Sequence, residues 1–263
     1  MEKTMSDLDI LKKRINSGEK IKFQEFEDLL AQQEAIEDAL EIMRGNANGL
    51  RGEPFTLRAS GLGLAIVVGH TQNAQGAYGG PPINQSEYVW NKDLASRITA
   101  ACSRLGVPAK IFYRDNVGIS GAYQQVLNWG ATCVMELHFN AHMGAAKGTE
   151  TLYDAETNSG SKEWAKRLQR AMLEALGTAD RDLKERDPGG RGYESVSAID
   201  IPSALVEPFF GDNVSDATKG HNNKDELAEA LARAAAAQLG TLSPFWISAA
   251  KPRQREHCGL RGK

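Results

Sequence analysis

Leu64-Ala-Ile-Val-Val-Gly-His-Thr71 is the stretch on which the fold turns. Its first five residues are apolar and rich in β-branched side chains, and a short run of that kind bounded by glycine is a buried strand. Gly69 then lets the backbone turn sharply, so that the His70 imidazole projects over the strand end. Open α/β sheets keep their chemistry at the carboxyl ends of their strands.

Downstream the pattern alternates. Leu94, Ile98, Cys102 and Leu105 share one helical face over residues 88–105, and Gly106 stops that helix; AKIFY (109–113) is a second strand. Residues 121–129 are helical, TCVMEL (132–137) is a buried strand, and GTETLYD (148–154) reads as an alternating strand near a sheet edge. Residues 161–176 form a helix with Trp164, Leu168, Met172 and Leu176 inward and Gly177 as its cap. Residues 204–206 are a further strand, and an alanine-rich helix covers 225–239. This rhythm predicts an α/β domain: a single, mostly parallel or mixed twisted sheet flanked by helices on both faces.

Upstream, residues 6–43 are acidic, polar and free of proline. Leu8, Leu11 and Ile15, then Phe23, Phe26, Leu29 and Leu30, then Ile36, Leu40 and Met43 recur at helical spacing. Two or three amphipathic helices are expected there, as a packing appendage, a self-association surface that makes a homo-oligomer, or a docking element for a larger particle. Asn, Gly and Pro punctuate residues 46–54 as a linker. The expected division is a helical extension and linker at 1–55, the α/β domain at 56–242, and a tail at 243–263 in which Lys251, Arg253, Arg255, Arg261 and Lys263 stand against one acid, Glu256.

Composition narrows the function classes. The 263 residues carry a formal net charge of -3, with 41% hydrophobic and 25% charged residues, ordinary values for a globular protein with a substantial core. A balance so close to neutral gives no argument for a nucleic-acid partner. No stretch approaches the roughly 18 to 20 apolar residues of a membrane span, and residues 1–20 lack the apolar centre of a signal peptide, so synthesis in the cytoplasm is expected. Cys102, Cys133 and Cys258 have no CxxC spacing, which excludes a disulfide scaffold.

Against that background four residues stand out: His70, Glu87 in QSEYVWN, His138 in ELHFNAH and Glu207 in ALVEPFF. Two imidazoles with one carboxylate are the ligand set of a hydrolytic zinc site whose fourth position is left to water, and a further carboxylate then serves as base. His142 is a rival ligand to His138. Glu87 opens a helix, where the dipole favours a carboxylate whatever its role. Glu207 follows IPSALV and precedes Pro208, Phe209 and Phe210, surroundings that desolvate its carboxyl, raise its pKa and suit it to carrying a proton.

GHT (69–71) with the GAYGG loop (76–80), Glu87, HFNA (138–141), GTETLYD and ALVEPFFGDN (204–213) resemble, in order and by element, the zinc-dependent N-acetylmuramoyl-L-alanine amidases, in particular the amidase domains of phage endolysins. The resemblance spans roughly residues 64–239. It implies that His70, Glu87 and His138 bind one zinc ion and that Glu207 is the catalytic acid/base. It also implies peptidoglycan as substrate, cut at the amide between the lactyl group of muramic acid and L-alanine. Asn140 and Arg181 are the implied substrate-binding residues. Many bacterial members open with Asp-Pro-Gly-His-Gly, whereas this chain has Val67, Val68, Gly69, His70 and Thr71, as phage-type members do. A lysis enzyme of a phage or prophage is therefore expected, meeting the wall after holin-type release, lysis or particle delivery. DRDLKERD (180–187) stands where the family has an Asn-Arg-Gly stretch, and Arg181 alone carries over. Two alternatives share the fold: a zinc peptidase cutting within the stem peptide, and a noncatalytic wall-binding or particle protein. A binding module has no need of Glu207.

Overall fold

The computed structural model describes residues 63–240. The expected N-terminal helices, the linker and the basic tail lie outside the described residues. Strand β1 (Leu64–Val68) is buried along its whole length, as a both-faces-covered run must be. It lies between β4 (Ala109–Tyr113) and β5 (Cys133–Leu137), parallel to each. With β6 (Thr149–Tyr153), β7 (Asp180–Glu185) and β8 (Ser203–Glu207) these make a six-stranded sheet in the order β4-β1-β5-β8-β6-β7. β8 runs parallel to β5, whereas β6 runs antiparallel to β8 and parallel to β7. A small antiparallel ribbon of β2 (Tyr78–Gly79) and β3 (Gln85–Ser86) stands apart from it.

The period of two along β1 divides the interior. Leu64, Ile66 and Val68 pack into the larger core with α1 (Glu87–Arg104), α3 (Ser161–Leu176) and α6 (Lys224–Gln238); Ala65 and Val67 face α2 (Gly118–Trp129). The expected sheet covered on both faces is what forms. Each large aliphatic or aromatic side chain so buried contributes roughly 1.5–3 kcal/mol. Trp164 of α3 is fully buried and still satisfies its indole by donating to the Val134 carbonyl at 2.6 Å, as a buried tryptophan should.

Two expectations need correction. GTETLYD does lie one strand from an edge, but it has no solvated face: all five residues of β6 are buried, and the following DRDLKE forms β7 and takes the outer position. The alternation that suggested a solvated face reflects internal hydrogen bonds. Thr149 donates to the Pro208 carbonyl at 2.6 Å, and Thr151 to Gln169 Oε1 at 2.7 Å. Second, residues after ALVEPFFGDN form a helix that the pattern did not announce, α5 (Val214–Asn222), capped by Asn213, whose side chain accepts from the Ser215 and Asp216 amides. A short helix, α4 (Tyr193–Val196), precedes β8. Among the described residues no helix is long and apolar enough to cross a membrane.

Candidate metal centre

His70, His138 and Glu207 all lie at the carboxyl end of parallel strands, and Glu87 comes to them from the start of α1. Val68 of β1 pairs with Leu137 of β5, and Leu137 with Val206 of β8; the chain therefore leaves these strands with His138 and Glu207 side by side. Ser86 caps α1 and places Glu87 in its first turn, the carboxylate-favouring end of the helix. His70 takes φ +65°, a left-handed conformation that costs a non-glycine residue energy and marks a position held for a purpose.

The backbone on either side leaves no slack. A Cβ on Gly69 would stand 2.3 Å from His138 Nε2, and one on Gly76, at φ +71°, would stand 2.6 Å from His70 Nε2 and 2.8 Å from Glu87 Oε2. Only glycine fits either place.

Glu87 is the hub. Its Oε2 lies 3.1 Å from His70 Nε2 and accepts from the Ala77 amide at 3.2 Å, while Oε1 lies 2.7 Å from His138 Nδ1 and accepts from the Phe139 amide at 3.0 Å. Among the described residues, His70, Glu87 and His138 form the group whose donor atoms all fall within 4.8 Å of one another; His142, the rival ligand, is not in it. Zinc with bonds of about 2.0–2.2 Å in a tetrahedral arrangement holds neighbouring donors roughly 3–3.5 Å apart, so the His70–Glu87 spacing and the donor chemistry fit that ion. Burial works to raise the Glu87 pKa, yet the charge of His70 and the hydrogen bonds to both histidines outweigh it and hold the carboxyl well below its usual range. For His138, burial works to lower the pKa, but bonds to Glu136 and Glu87 leave it well above the ordinary histidine value. The site is built for positive charge.

Glu207 is 3% exposed. Burial pushes its pKa up to about 7, against the pull of Arg191 and His138, with Glu87 and Glu150 adding to the rise. Arg191 donates to Oε1 at 2.6 Å, while Oε2 is buried and has no hydrogen-bond partner among the described residues. An orphaned carboxylate oxygen beside a three-donor group calls for a partner the protein does not supply. Asn140 stands next to it, donating to Glu150 Oε1 at 2.7 Å and accepting from Arg191 at 3.1 Å. Arg181 reaches the same Glu150 from β7 at 2.8 Å and lies over the Phe210 ring. The two residues expected at the substrate thus meet through Glu150, a step from the donor group.

Sequence reasoning singled out neither Arg191, Glu150 nor Glu136. Glu136 had a signal: a charge inside the apolar CVMEL run, two residues before His138 and so on the same strand face.

The sequence profile of the N-acetylmuramoyl-L-alanine amidase family matches residues 64–237. Comparison with curated proteins gives no match. Among solved structures, the catalytic domain of CwlV, an N-acetylmuramoyl-L-alanine amidase from Bacillus (Paenibacillus) polymyxa var. colistinus, superposes with a TM-score of 0.59 at 19% identity, covering 68% of this chain and 99% of that one. An N-acetylmuramoyl-L-alanine amidase from Clostridium difficile 630 gives 0.57 at 23% identity over 69% and 98%. The catalytic domain of the CD27L endolysin, which targets Clostridia difficile, gives 0.52 at 21% identity over 65% and 95%. At these identities the structures establish the shared fold.

Proposed function

This chain belongs to the N-acetylmuramoyl-L-alanine amidase family, and from that premise we propose that it is a one-zinc enzyme cutting peptidoglycan between N-acetylmuramic acid and L-alanine, in the service of a phage or prophage. The observation that carries the reading is the buried, unpartnered Oε2 of Glu207 beside the His70, Glu87 and His138 donors. The phage setting rests on the GHT opening in place of Asp-Pro-Gly-His-Gly, with wall contact following holin-type release, lysis or particle delivery.

Zinc held by His70, Glu87 and His138 would supply a Lewis acid that makes water acidic near neutral pH and stabilises the oxyanion of an attacked carbonyl. The remaining work falls to the protein. Glu207 Oε2 takes a proton from the attacking water as the new C–O bond forms at the lactyl carbonyl. The C–N bond then breaks, and Glu207 returns that proton to the departing amine of L-alanine. Lactyl carboxylate and a peptide with a free amino terminus remain. Arg191 holds Oε1, so that Oε2 is the oxygen left to move the proton, and Asn140, Glu150 and Arg181 rim the substrate side.

Digestion of purified sacculi, read by mass spectrometry alongside elemental analysis of the protein, tests this. Peptides beginning at L-alanine with about one zinc per chain are expected; peptides shortened from within the stem would mean a peptidase, and metal-free protein with intact sacculi would sink the zinc reading.

Arg191 gives a second check with a defined sign. Removing its positive charge lets burial raise the Glu207 pKa further, and a base is useful only when deprotonated. Arg191→Ala is therefore expected to move the acid limb of the kcat profile to higher pH, costing about tenfold on the acid side for each unit moved, with the loss recovered at alkaline pH. A uniform loss at every pH would show that Arg191 does not act through Glu207.

A further inference from the structure

Glu136 lies within β5, fully buried, and plays no part in the proton transfers above. Its Oε1 meets His138 Nε2 at 2.9 Å and accepts from Arg114 Nη1 at 3.1 Å and Ser195 Oγ at 3.1 Å; its Oε2 accepts from the Tyr123 hydroxyl at 2.6 Å. The donors come from the end of β4, from α2 and from α4, so three elements converge on one carboxylate. A buried carboxylate is costly unless its lone pairs are satisfied, and this one is satisfied in a fixed orientation.

The His138 ring has carboxylates on both sides: Glu87 at Nδ1 and Glu136 at Nε2. Turning the ring over would put carbon atoms against both and forfeit both hydrogen bonds. Once a metal takes the Nδ1 lone pair, Glu87 no longer reads the ring as a hydrogen-bond partner. The acceptor at Nε2 is then left to fix the tautomer and orientation of the ring. Resting on the zinc reading of His70, Glu87 and His138, we infer that Glu136 is a positioning residue for the metal: it accepts the Nε2 proton of His138 and so presents Nδ1, unprotonated and correctly aimed, to the ion. Arg114, Tyr123 and Ser195 satisfy the other lone pairs of the Glu136 carboxylate. Since α4 directly follows the loop bearing Arg191, the same cluster also anchors the arm that reaches Glu207.

The test uses the full chain and zinc affinity measured by competition with a chromophoric chelator. Glu136→Met, which removes the acceptor, is expected to weaken zinc binding by about 10- to 100-fold. Glu136→Gln, whose amide oxygen still accepts from Nε2–H, should fall between it and the parent. Tyr123→Phe strips a bond from the same carboxylate without touching His138, and is expected to lower the unfolding midpoint while leaving affinity within about twofold, since a second contact away from the ligand does not set its tautomer. In zinc-loaded parent protein labelled with 15N-histidine, His138 should carry its proton on Nε2, and in Glu136→Gln that proton should stay on Nε2 with its 15N–1H signal shifted by the weaker, neutral acceptor, an unchanged signal counting against the contact. Zinc affinity in folded Glu136→Met equal to the parent's, or a loss in Tyr123→Phe as large as in Glu136→Met, would overturn the inference. Should Glu136→Met fail to fold, Glu136→Gln and the NMR signal decide alone. A parent chain that takes up no zinc would instead overturn the metal reading itself.

Discussion

Glu207→Ala is expected to keep its metal and to release peptide from sacculi far more slowly, with turnover falling by about 10²- to 10⁴-fold, the usual worth of a positioned proton carrier. The separation follows from the geometry. His70, Glu87 and His138 supply the donor group without Glu207, whereas Glu207 offers an oxygen that nothing in the described protein engages. The same change bears on stability. A carboxyl whose folded pKa is raised makes folding less favourable as pH climbs from the ordinary 4.5 to about 7, because the unfolded chain gives up the proton first. In metal-free protein Glu207→Ala removes that cost, so the variant should unfold at a higher temperature than the parent above pH 7 and lose the advantage below pH 4.5. Turnover that survives the substitution, or zinc lost along with it, would reassign Glu207 from proton carrier to ligand or bystander.

Much of this site was legible because each residue sits at a place that local pattern marks. LAIVV names its own strand by composition, and His70, one glycine beyond it, must stand at the carboxyl end of that strand. TCVMEL does the same for His138 and SALV for Glu207. The misread segments had a common cause: polar residues whose partners lie far along the chain. Thr149, Glu150 and Thr151 look like a solvated face until Pro208, Arg181 and Gln169 arrive to satisfy them. Arg191 is an ordinary loop arginine until β8 brings Glu207 beneath it, and His142 could be set aside only when backbone placement showed which imidazole joins Glu87. The helix α5 did carry a local sign, Asn213 with Asp216 three residues on, that the aromatic run before it overshadowed. Glu136 was visible as a lone charge in an apolar strand, yet its meaning depended on the side of His138 it would occupy.

Glu87→Ala should behave in the opposite way to Glu207→Ala, losing zinc and activity together. One carboxylate there faces both histidines and binds the Ala77 and Phe139 amides. Its removal takes away a ligand and loosens the loop whose Gly76 lies against His70, so zinc affinity should drop by more than the about 10- to 100-fold typical of a supporting residue. The pH dependence of the metal-free parent gives the independent reading. Glu87 has a depressed folded pKa, so its contribution is present above the ordinary 4.5 and is lost as pH falls through the lower folded value. His138 has a raised one, so its contribution is present below the ordinary 6.5 and is lost as pH rises through the higher folded value. Together they favour the metal-free fold most between pH 4.5 and 6.5. Zinc must displace the His138 proton, and its affinity accordingly rises with pH. Thermal unfolding of the parent across pH, with chelator and then with zinc, should show the stability optimum move to higher pH on loading, and Glu87→Ala should show a weaker metal-free optimum, since Glu136 still holds the His138 proton, and no move. An optimum in Glu87→Ala that still shifts with zinc would mean that the ion binds elsewhere, and the three-residue centre would have to be abandoned.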